Sequence, residues 1–167
     1  MEEKAAPEAI GVDSVYRARF QMAAGHYLSR FYTRLKERGE IWAVKCPKCN
    51  RTIIPPRIVC GFCKVKIEDT EENWLKLSDK GTVLQRFVIT DHEINRVTKE
   101  PVGDDNPNTF ILLDGGDEFA IIGHLLEEGI DIDKVETGKT RVQAVWRPKE
   151  ERVGKMRDIK YFQVIEE

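Results

Sequence analysis

The sequence has little of what would identify an enzyme, a membrane protein or a secreted protein. No apolar run in its 167 residues approaches the roughly 20 residues of a membrane-spanning helix. Residues 1–10 combine alanine with mixed charge and have none of the apolar core of a signal peptide. No glycine-rich phosphate-binding motif, dinucleotide fingerprint or GxSxG nucleophile motif occurs. We therefore expect a cytoplasmic protein that is not itself an enzyme.

Cysteine is also scarce, and all four cysteines lie in one short stretch. Cys46 and Cys49 form one CxxC pair, and Cys60 and Cys63 form a second pair after a ten-residue spacer. Two such pairs bring four sulfurs onto two facing turns, which is the ligand set of a closed tetrahedral metal site. Four thiolates leave the ion no position for water or substrate, so the predicted role is structural. We predict Zn²⁺, and a rubredoxin-like iron site, which uses the same ligands, is the alternative.

Acidic residues are absent between Lys45 and Lys66, although the whole chain carries a net charge of −2. The basic residues of this segment are Lys45, Lys48, Arg51, Arg57, Lys64 and Lys66. Some of these cations can offset the negative charge of an ion held by four thiolates. The others are available to phosphate groups or to the acidic face of a partner.

An amphipathic helix is predicted over residues 14–39, after a flexible extension at residues 1–13. Asp13 or Ser14 is its expected N-cap, and Gly39 is its expected end. Large apolar side chains recur at spacings near four and seven residues, namely Tyr16, Phe20, Tyr27, Phe31 and Leu35. Such a stripe packs either on the protein's own core or on another protein, and both alternatives stay open at this point.

The rest of the chain divides into a ribbon over residues 40–74 and an all-β domain over residues 75–167. The second part contains five segments of strand-like composition, a long loop rich in Pro, Gly and Asp, and a short segment suited to one helical turn. Five strands favour a Greek-key barrel of the OB type over a two-sheet sandwich, which needs about seven. The predicted fold is mainly β with an N-terminal helix, in which a rubredoxin-like four-cysteine zinc ribbon precedes a five-stranded OB-fold barrel.

This order of elements resembles a family of zinc-ribbon/OB-fold proteins that is associated with acyl-CoA metabolism and was long classed as a domain of unknown function. The residues that carry the resemblance are Phe20–Leu35, Cys46–Cys49, Ile54–Arg57, Cys60–Cys63, Trp74, Gly81–Val83, Leu113–Gly115, Gly138 and Val142–Trp146. Asn50 stands where the family usually has glycine, and asparagine tolerates the positive φ expected there. Residues 1–13 are not covered by the resemblance.

The resemblance implies a non-catalytic accessory subunit that docks on a thiolase-fold enzyme and supports carbon–carbon bond cleavage or formation in acyl-CoA substrates. Bacterial relatives accompany thiolases of aromatic-compound degradation, including benzoylsuccinyl-CoA thiolase. In such a thiolase- or acyltransferase-type complex, acyl-CoA is shared at the interface. The residues expected to contact the partner or the acyl-CoA are Tyr16, Phe20, Tyr27, Phe31, Lys48, Arg51, Arg57, Phe62 and Lys64. The cysteine content agrees with a non-catalytic role, because no cysteine remains as a nucleophile once a metal is bound by all four.

Two other functions remain as alternatives. A stand-alone acyl-CoA-binding protein would contact the CoA phosphates through its basic ribbon and would bind CoA saturably without a partner. A nucleic-acid-binding ribbon and barrel is disfavoured, because the pI is about 6.0 and the predicted barrel strands show little interleaving of basic and aromatic residues on a common face. Co-purification with a thiolase-fold enzyme would distinguish the accessory subunit from both.

Overall fold

The computed structural model describes residues 11, 22–89, 93–94, 101–102 and 106–166. Tyr16 and Phe20 of the predicted stripe lie outside these residues, as do the expected caps Asp13 and Ser14. Within the described ranges, no helix is long and apolar enough to cross a lipid bilayer.

The described part of the chain contains one α-helix, ten β-strands and short 3₁₀ turns. The helix is α1 (Gly25–Arg38). The strands are β1 (Ile41–Lys45), β2 (Thr52–Ile53), β3 (Trp74–Leu77), β4 (Lys80–Ile89), β5 (Glu93–Ile94), β6 (Pro101–Val102), β7 (Asn106–Leu113), β8 (Ile121–Leu125), β9 (Arg141–Trp146) and β10 (Ile159–Ile165).

Helix α1 begins at Gly25, inside the segment predicted to be helical from residue 14, and residues 22–24 before it are not helical. It ends at Gly39 as predicted, since Gly39 adopts the left-handed conformation at φ 63° and its N–H bonds to the Leu35 carbonyl at 3.1 Å. Phe31 and Leu35 are fully buried and Tyr27 nearly so. The described half of the apolar stripe therefore packs on the protein's own core, and Tyr27 and Phe31 are not surface residues that a partner could contact.

Strand β1 lies at the centre of a three-stranded antiparallel sheet, with β2 and β3 on its two sides. Arginines of α1 cover the tryptophans of this sheet. The Arg34 guanidinium lies 3.7 Å from the centre of the Trp42 ring, and that of Arg30 lies 4.7 Å from the Trp74 ring. Trp74 also stacks on Tyr27, with the two ring centres 6.0 Å apart. Cation–π and ring contacts thus attach α1 to the ribbon along its length.

The remaining large strands form a five-stranded antiparallel sheet in the order β10-β9-β4-β7-β8. The sheet closes where Leu126 and Phe162 form a parallel bridge and the Glu127 N–H donates to the Phe162 carbonyl at 3.0 Å. A three-stranded meander followed by two strands that return to its first strand and close on its third is the Greek-key barrel of the OB type. The fold predicted from the sequence is confirmed.

One apolar core joins the helix, the ribbon sheet and the barrel. Phe31 and Leu35 of α1 belong to the same buried cluster as Leu77 of β3 and as Val83 and Phe162 of the barrel. A second, smaller cluster surrounds the first cysteine of each pair and contains Tyr27, Val44, Cys46, Cys60, Ile67 and Trp74. The ribbon sheet is therefore held by barrel and helix, whereas the cysteine turns beyond it depend on the small cluster.

Candidate metal centre and its surroundings

The two CxxC segments fold into matching turns. In the first, the Cys46 carbonyl accepts the Asn50 N–H at 2.9 Å, and the Cys46 N–H donates to the Arg51 carbonyl at 3.0 Å. In the second, the Cys60 carbonyl accepts the Lys64 N–H at 3.1 Å, and the Cys60 N–H donates to the Val65 carbonyl at 2.9 Å. The residue after each pair has positive φ, 57° at Asn50 and 58° at Lys64. The conformation predicted for Asn50 is confirmed.

Lys64 has the same backbone conformation, which was not predicted from the sequence. A lysine at positive φ is uncommon, so its residue type carried no signal for this conformation. Its position one residue after the second CxxC, matching Asn50 after the first, was the signal available. The Lys64 ammonium donates to the Gly61 carbonyl at 2.7 Å and so closes the turn that it follows.

The turns bring all four thiols together. The sulfur atoms lie within 4.8 Å of one another, with Cys46 Sγ 3.4 Å from Cys63 Sγ and Cys49 Sγ 3.7 Å from Cys60 Sγ. A tetrahedral ion with metal–sulfur bonds of about 2.3 Å requires sulfur–sulfur separations of about 3.8 Å. The cluster therefore has the size of a tetrahedral four-thiolate site, and the ligand set read from the sequence is brought together in space.

The turns also favour thiolate formation at the first cysteine of the second pair. Backbone N–H groups, that of Cys63 first, lower the pKa of the Cys60 thiol to about 6. Burial acts to raise the pKa of Cys46, but backbone donors from Cys49 and Lys48 and hydrogen bonds with the Cys63 and Cys49 thiols together lower it. The pKa of Cys63 rises to about 11 although the Val65 N–H acts to lower it, because burial and the three neighbouring sulfurs oppose a further negative charge. A bound cation would relieve that repulsion and permit four thiolates.

The ribbon is joined to the barrel beside the metal cluster. Phe62 and Phe119 contact each other with ring centres 5.2 Å apart, and the Arg51 guanidinium lies over both, 4.0 Å from the centre of Phe62 and 4.6 Å from that of Phe119. Thr52 and Asp117 hydrogen bond across the same boundary. Phe119, on the loop before β8, was not recognised from the sequence as part of this region. Arg51 and Phe62, predicted to contact a partner, therefore also hold the ribbon in place.

The other predicted contact residues of the ribbon lie at the surface. Lys48, Arg57 and Lys64 are exposed, and more than half of Phe62 is accessible to solvent. The sequence analysis missed Ile58 and Val59, which are about half exposed just before Cys60. Two adjacent β-branched residues in so short a segment suggest a buried strand. Here they lie on an extended edge that pairs only through the Val59–Lys66 bridge in the described part of the chain.

Comparisons with known proteins agree with this geometry. Residues 34–68 match the family model described as "ChsH2, rubredoxin-like zinc ribbon domain". The fold is similar to a chain of the solved "Ltp2-ChsH2(DUF35) aldolase" at a TM-score of 0.54 and 18% identity, over 86% of this chain and 98% of that one. A protein of unknown function from the DUF35 family of Sulfolobus solfataricus is similar at a TM-score of 0.47 and 19% identity, over 81% of each chain. No curated protein matches the sequence.

These comparisons overturn one prediction. The chain was expected not to be an enzyme but an accessory subunit of a thiolase- or acyltransferase-type complex, whereas the solved neighbour with its fold is named as part of an aldolase. The prediction rested on the lack of a free nucleophile in one chain. A chain without a free nucleophile can still be part of an enzyme, because a subunit contributes to catalysis when it positions substrate in a site built by two chains.

The resemblance noted in the sequence is therefore confirmed, because residues 34–68 match the ChsH2-type rubredoxin-like zinc ribbon and the fold of this chain is similar to that of a chain of the Ltp2-ChsH2(DUF35) aldolase.

Proposed function

We propose that this chain is the ribbon subunit of a heteromeric enzyme that forms or cleaves a carbon–carbon bond in an acyl-CoA, and that its ribbon docks on a thiolase-fold partner. The observation that carries the proposal is the exposed apolar edge Ile58, Val59 and Phe62, held rigidly beside the metal cluster. The aldolase assembly of a protein with this fold supports a role as one subunit of an enzyme.

The metal is proposed to be Zn²⁺ in a structural role. Four cysteines at tetrahedral spacing are the ligand set of structural zinc, and they leave no coordination position open. Reduced thiols of this kind suit a cytoplasmic protein, which is the location we propose. The ion would hold the two turns, and with them the apolar edge, in a fixed shape.

The edge has the composition of a docking surface. Ile58 and Val59 just before the second turn and Phe62 within it are exposed, and the exposed cations close to them in the sequence include Arg57, Lys64 and Lys66. An apolar centre with a charged rim is typical of protein–protein interfaces. Because the segment from Lys45 to Lys66 has no acidic residue, the rim complements acidic groups on a partner or the phosphates of an acyl-CoA bound at the interface.

A native pull-down of the tagged chain from its own cells tests the proposal. We expect a thiolase-fold protein in near-stoichiometric amount with the wild type and with Val153→Glu, which changes a residue 52% exposed on the barrel. Ile58→Glu, at a residue 48% exposed on the ribbon, should lose that partner while keeping its metal and its melting temperature. Equal recovery with both variants would exclude the edge as the docking surface.

The same preparation also tests whether the chain is a stand-alone acyl-CoA-binding protein. If no partner is recovered and the isolated chain binds acyl-CoA saturably, the proposed assembly is wrong.

A further inference from the structure

A cavity of about 300 Å³ opens on the barrel, beside the place where β8 and β10 close it. Its wall is formed by strand residues of β8 and β10 together with the segment between β9 and β10. The polar side chains that line it are Asn108, His124, Arg147, Arg157 and Lys160. Leu125 and the buried Ile159 provide an apolar base. None of the residues assigned to the metal centre or to the exposed apolar edge takes part in it.

The cavity carries a concentration of positive charge. Arg147, Arg157 and Lys160 contribute three cations, and no acidic residue lines it in the described part of the chain. Arg147 has an exposed ion-pair partner, Glu151, at 3.8 Å, on the rim of an adjoining cleft. Within the described ranges no carboxylate pairs with Arg157, and Lys160 lies 5.4 Å from the ring of Tyr161. Three cations around one cavity, of which Arg147 alone pairs with a carboxylate among the described residues, make a region of positive potential that attracts an anion.

A buried carboxylate holds the segment that supplies the two arginines. Asp158 is fully buried and accepts the backbone N–H groups of Val153 at 2.9 Å, Gly154 at 2.7 Å and Lys155 at 3.2 Å. The Asp158 carbonyl accepts the Arg147 N–H at 2.9 Å, and the Arg147 Nε donates to the Arg157 carbonyl at 2.9 Å. The Arg147 guanidinium is thus tied to the backbone of the turn that carries Arg157, which lowers the entropy cost of gathering the two side chains around a ligand.

His124 adds a polar group whose hydrogen bonding is incomplete. Its Nε2 lies 3.3 Å from the Met156 carbonyl, and its buried Nδ1 has no hydrogen-bond partner among the described residues. Burial lowers the pKa of His124, so near pH 7 the ring is neutral. With Nε2–H donating to Met156, Nδ1 is an acceptor, and the ring lies in the wall of the cavity, where its resonances report on a bound ligand.

We propose that this cavity binds a phosphate group, either as the free ion or as the terminal phosphate of an organic monoester. A phosphate carries a charge near −2 at neutral pH and three acceptor oxygens, which matches three cations better than a carboxylate with one charge and two oxygens. Arginine forks bind phosphate oxygens in pairs, so Arg147 and Arg157 suit this ligand geometrically. The volume accommodates a phosphate and part of the group that bears it. The proposal does not depend on the ribbon or on a partner enzyme.

Isothermal titration of the full metal-loaded chain with inorganic phosphate tests this site, with adenosine monophosphate and acetate titrated in parallel. We expect saturable phosphate binding that weakens roughly tenfold in Arg157→Gln and in Lys160→Gln, since each loses a charge-assisted contact. Arg38→Gln, which changes an exposed cation of α1 that does not line the cavity, is the matched control and should bind as the wild type does. The His124 ring resonances should shift on saturation in the wild type.

The two sources of phosphate are distinguished by affinity. Tighter binding of adenosine monophosphate than of inorganic phosphate identifies an organic monoester, and equal or weaker binding identifies the free ion. Equal weakening in Arg38→Gln and Arg157→Gln would show general attraction to a basic surface and overturn the proposal. Acetate binding as tight as phosphate binding would also overturn it, as would phosphate binding that leaves the His124 resonances unchanged.

Discussion

Thr52 and Asp117 exchange hydrogen bonds across the boundary between ribbon and barrel. The Thr52 N–H donates to Asp117 Oδ2 at 2.9 Å, and the Asp117 N–H lies 3.4 Å from Thr52 Oγ1. Thr52 follows the first cysteine turn and is 3% exposed, so this pair determines how the metal-binding turns sit on the barrel. Because Asp117 also accepts the Phe119 N–H at 3.0 Å, one carboxylate orients both sides of the joint.

Replacing Asp117 should therefore destabilise the joint. Asp117→Ala leaves the buried Thr52 N–H without an acceptor, and we expect a loss of about 1–3 kcal/mol in the free energy of unfolding. Urea denaturation followed by tryptophan fluorescence measures the change. Glu118→Ala, at the exposed neighbouring residue, is the control and should alter stability by less than about 0.5 kcal/mol. A similar small effect for Asp117→Ala would show that the joint is held by apolar contacts alone.

Loss of the metal should unfold the two cysteine turns and leave the barrel folded. The turns rest on the small cluster around Cys46 and Cys60, whereas β1 and β3 share the main core with α1 and the barrel. Cys63→Ser, or removal of the metal by a chelator, should abolish hydrogen-exchange protection of the Asn50 and Lys64 amides. The amides of β4 and β9 should keep their protection. Returning zinc to the chelated wild type, but not to Cys63→Ser, should restore the turns; protected turns without metal would contradict this.

Gly81 is expected to tolerate no side chain. A Cβ built at this residue of β4 would lie 2.4 Å from the Leu112 carbonyl oxygen, which is a backbone atom and cannot move aside cheaply. We expect Gly81→Ala to lower the free energy of unfolding by about 1–3 kcal/mol. Gly61→Ala is the matched control, because nothing lies within 4 Å of a Cβ there, and its effect should stay below about 0.5 kcal/mol. Thermal unfolding of both variants measures the difference, and equal melting temperatures would refute the expectation.

Stability at acid pH should depend on Asp114. The hydrogen bond from Arg141, with Nη1 2.9 Å from Oδ1, lowers the pKa of Asp114 below its ordinary value of 3.8. A carboxylate whose pKa is lower in the folded state stabilises the fold above the unfolded pKa, and this stabilisation is lost as the pH falls through the folded pKa. The free energy of unfolding of the wild type should therefore exceed that of Asp114→Asn by an amount that is constant near neutral pH and shrinks below about pH 4.

Urea denaturation from pH 7 to pH 3 measures this difference. Other carboxylates, Asp69 among them, also have lowered pKa values, so the wild type alone would not isolate the contribution of Asp114. Asp133→Asn, which changes a carboxylate 89% exposed beside Arg86, serves as the control and should show no such convergence. A difference between wild type and Asp114→Asn that does not shrink at acid pH would contradict the prediction.

Several features could be predicted because their cause is local. The spacing of Cys46, Cys49, Cys60 and Cys63 indicates two turns, since each turn is closed by hydrogen bonds between residues that are close in the sequence. Gly39 ended the helix because glycine readily adopts the left-handed conformation there. The barrel strands could be recognised from β-branched composition and turn residues, and their number was enough to choose the OB topology. The metal ligands and the architecture therefore belong to the sequence alone.

Other features depend on contacts between distant parts of the chain, and only the tertiary structure decided them. From the sequence, the apolar stripe of α1 could face either a partner or the core. In the structure Phe31 and Leu35 face the core, where they share a buried cluster with Leu77 and Val83. The cavity unites His124 with Arg147, Arg157 and Lys160, which local pattern does not connect because they meet only when β8 and β10 close the barrel. Sequence periodicity identifies which side chains share a face, but the packing of one element on another determines what that face contacts.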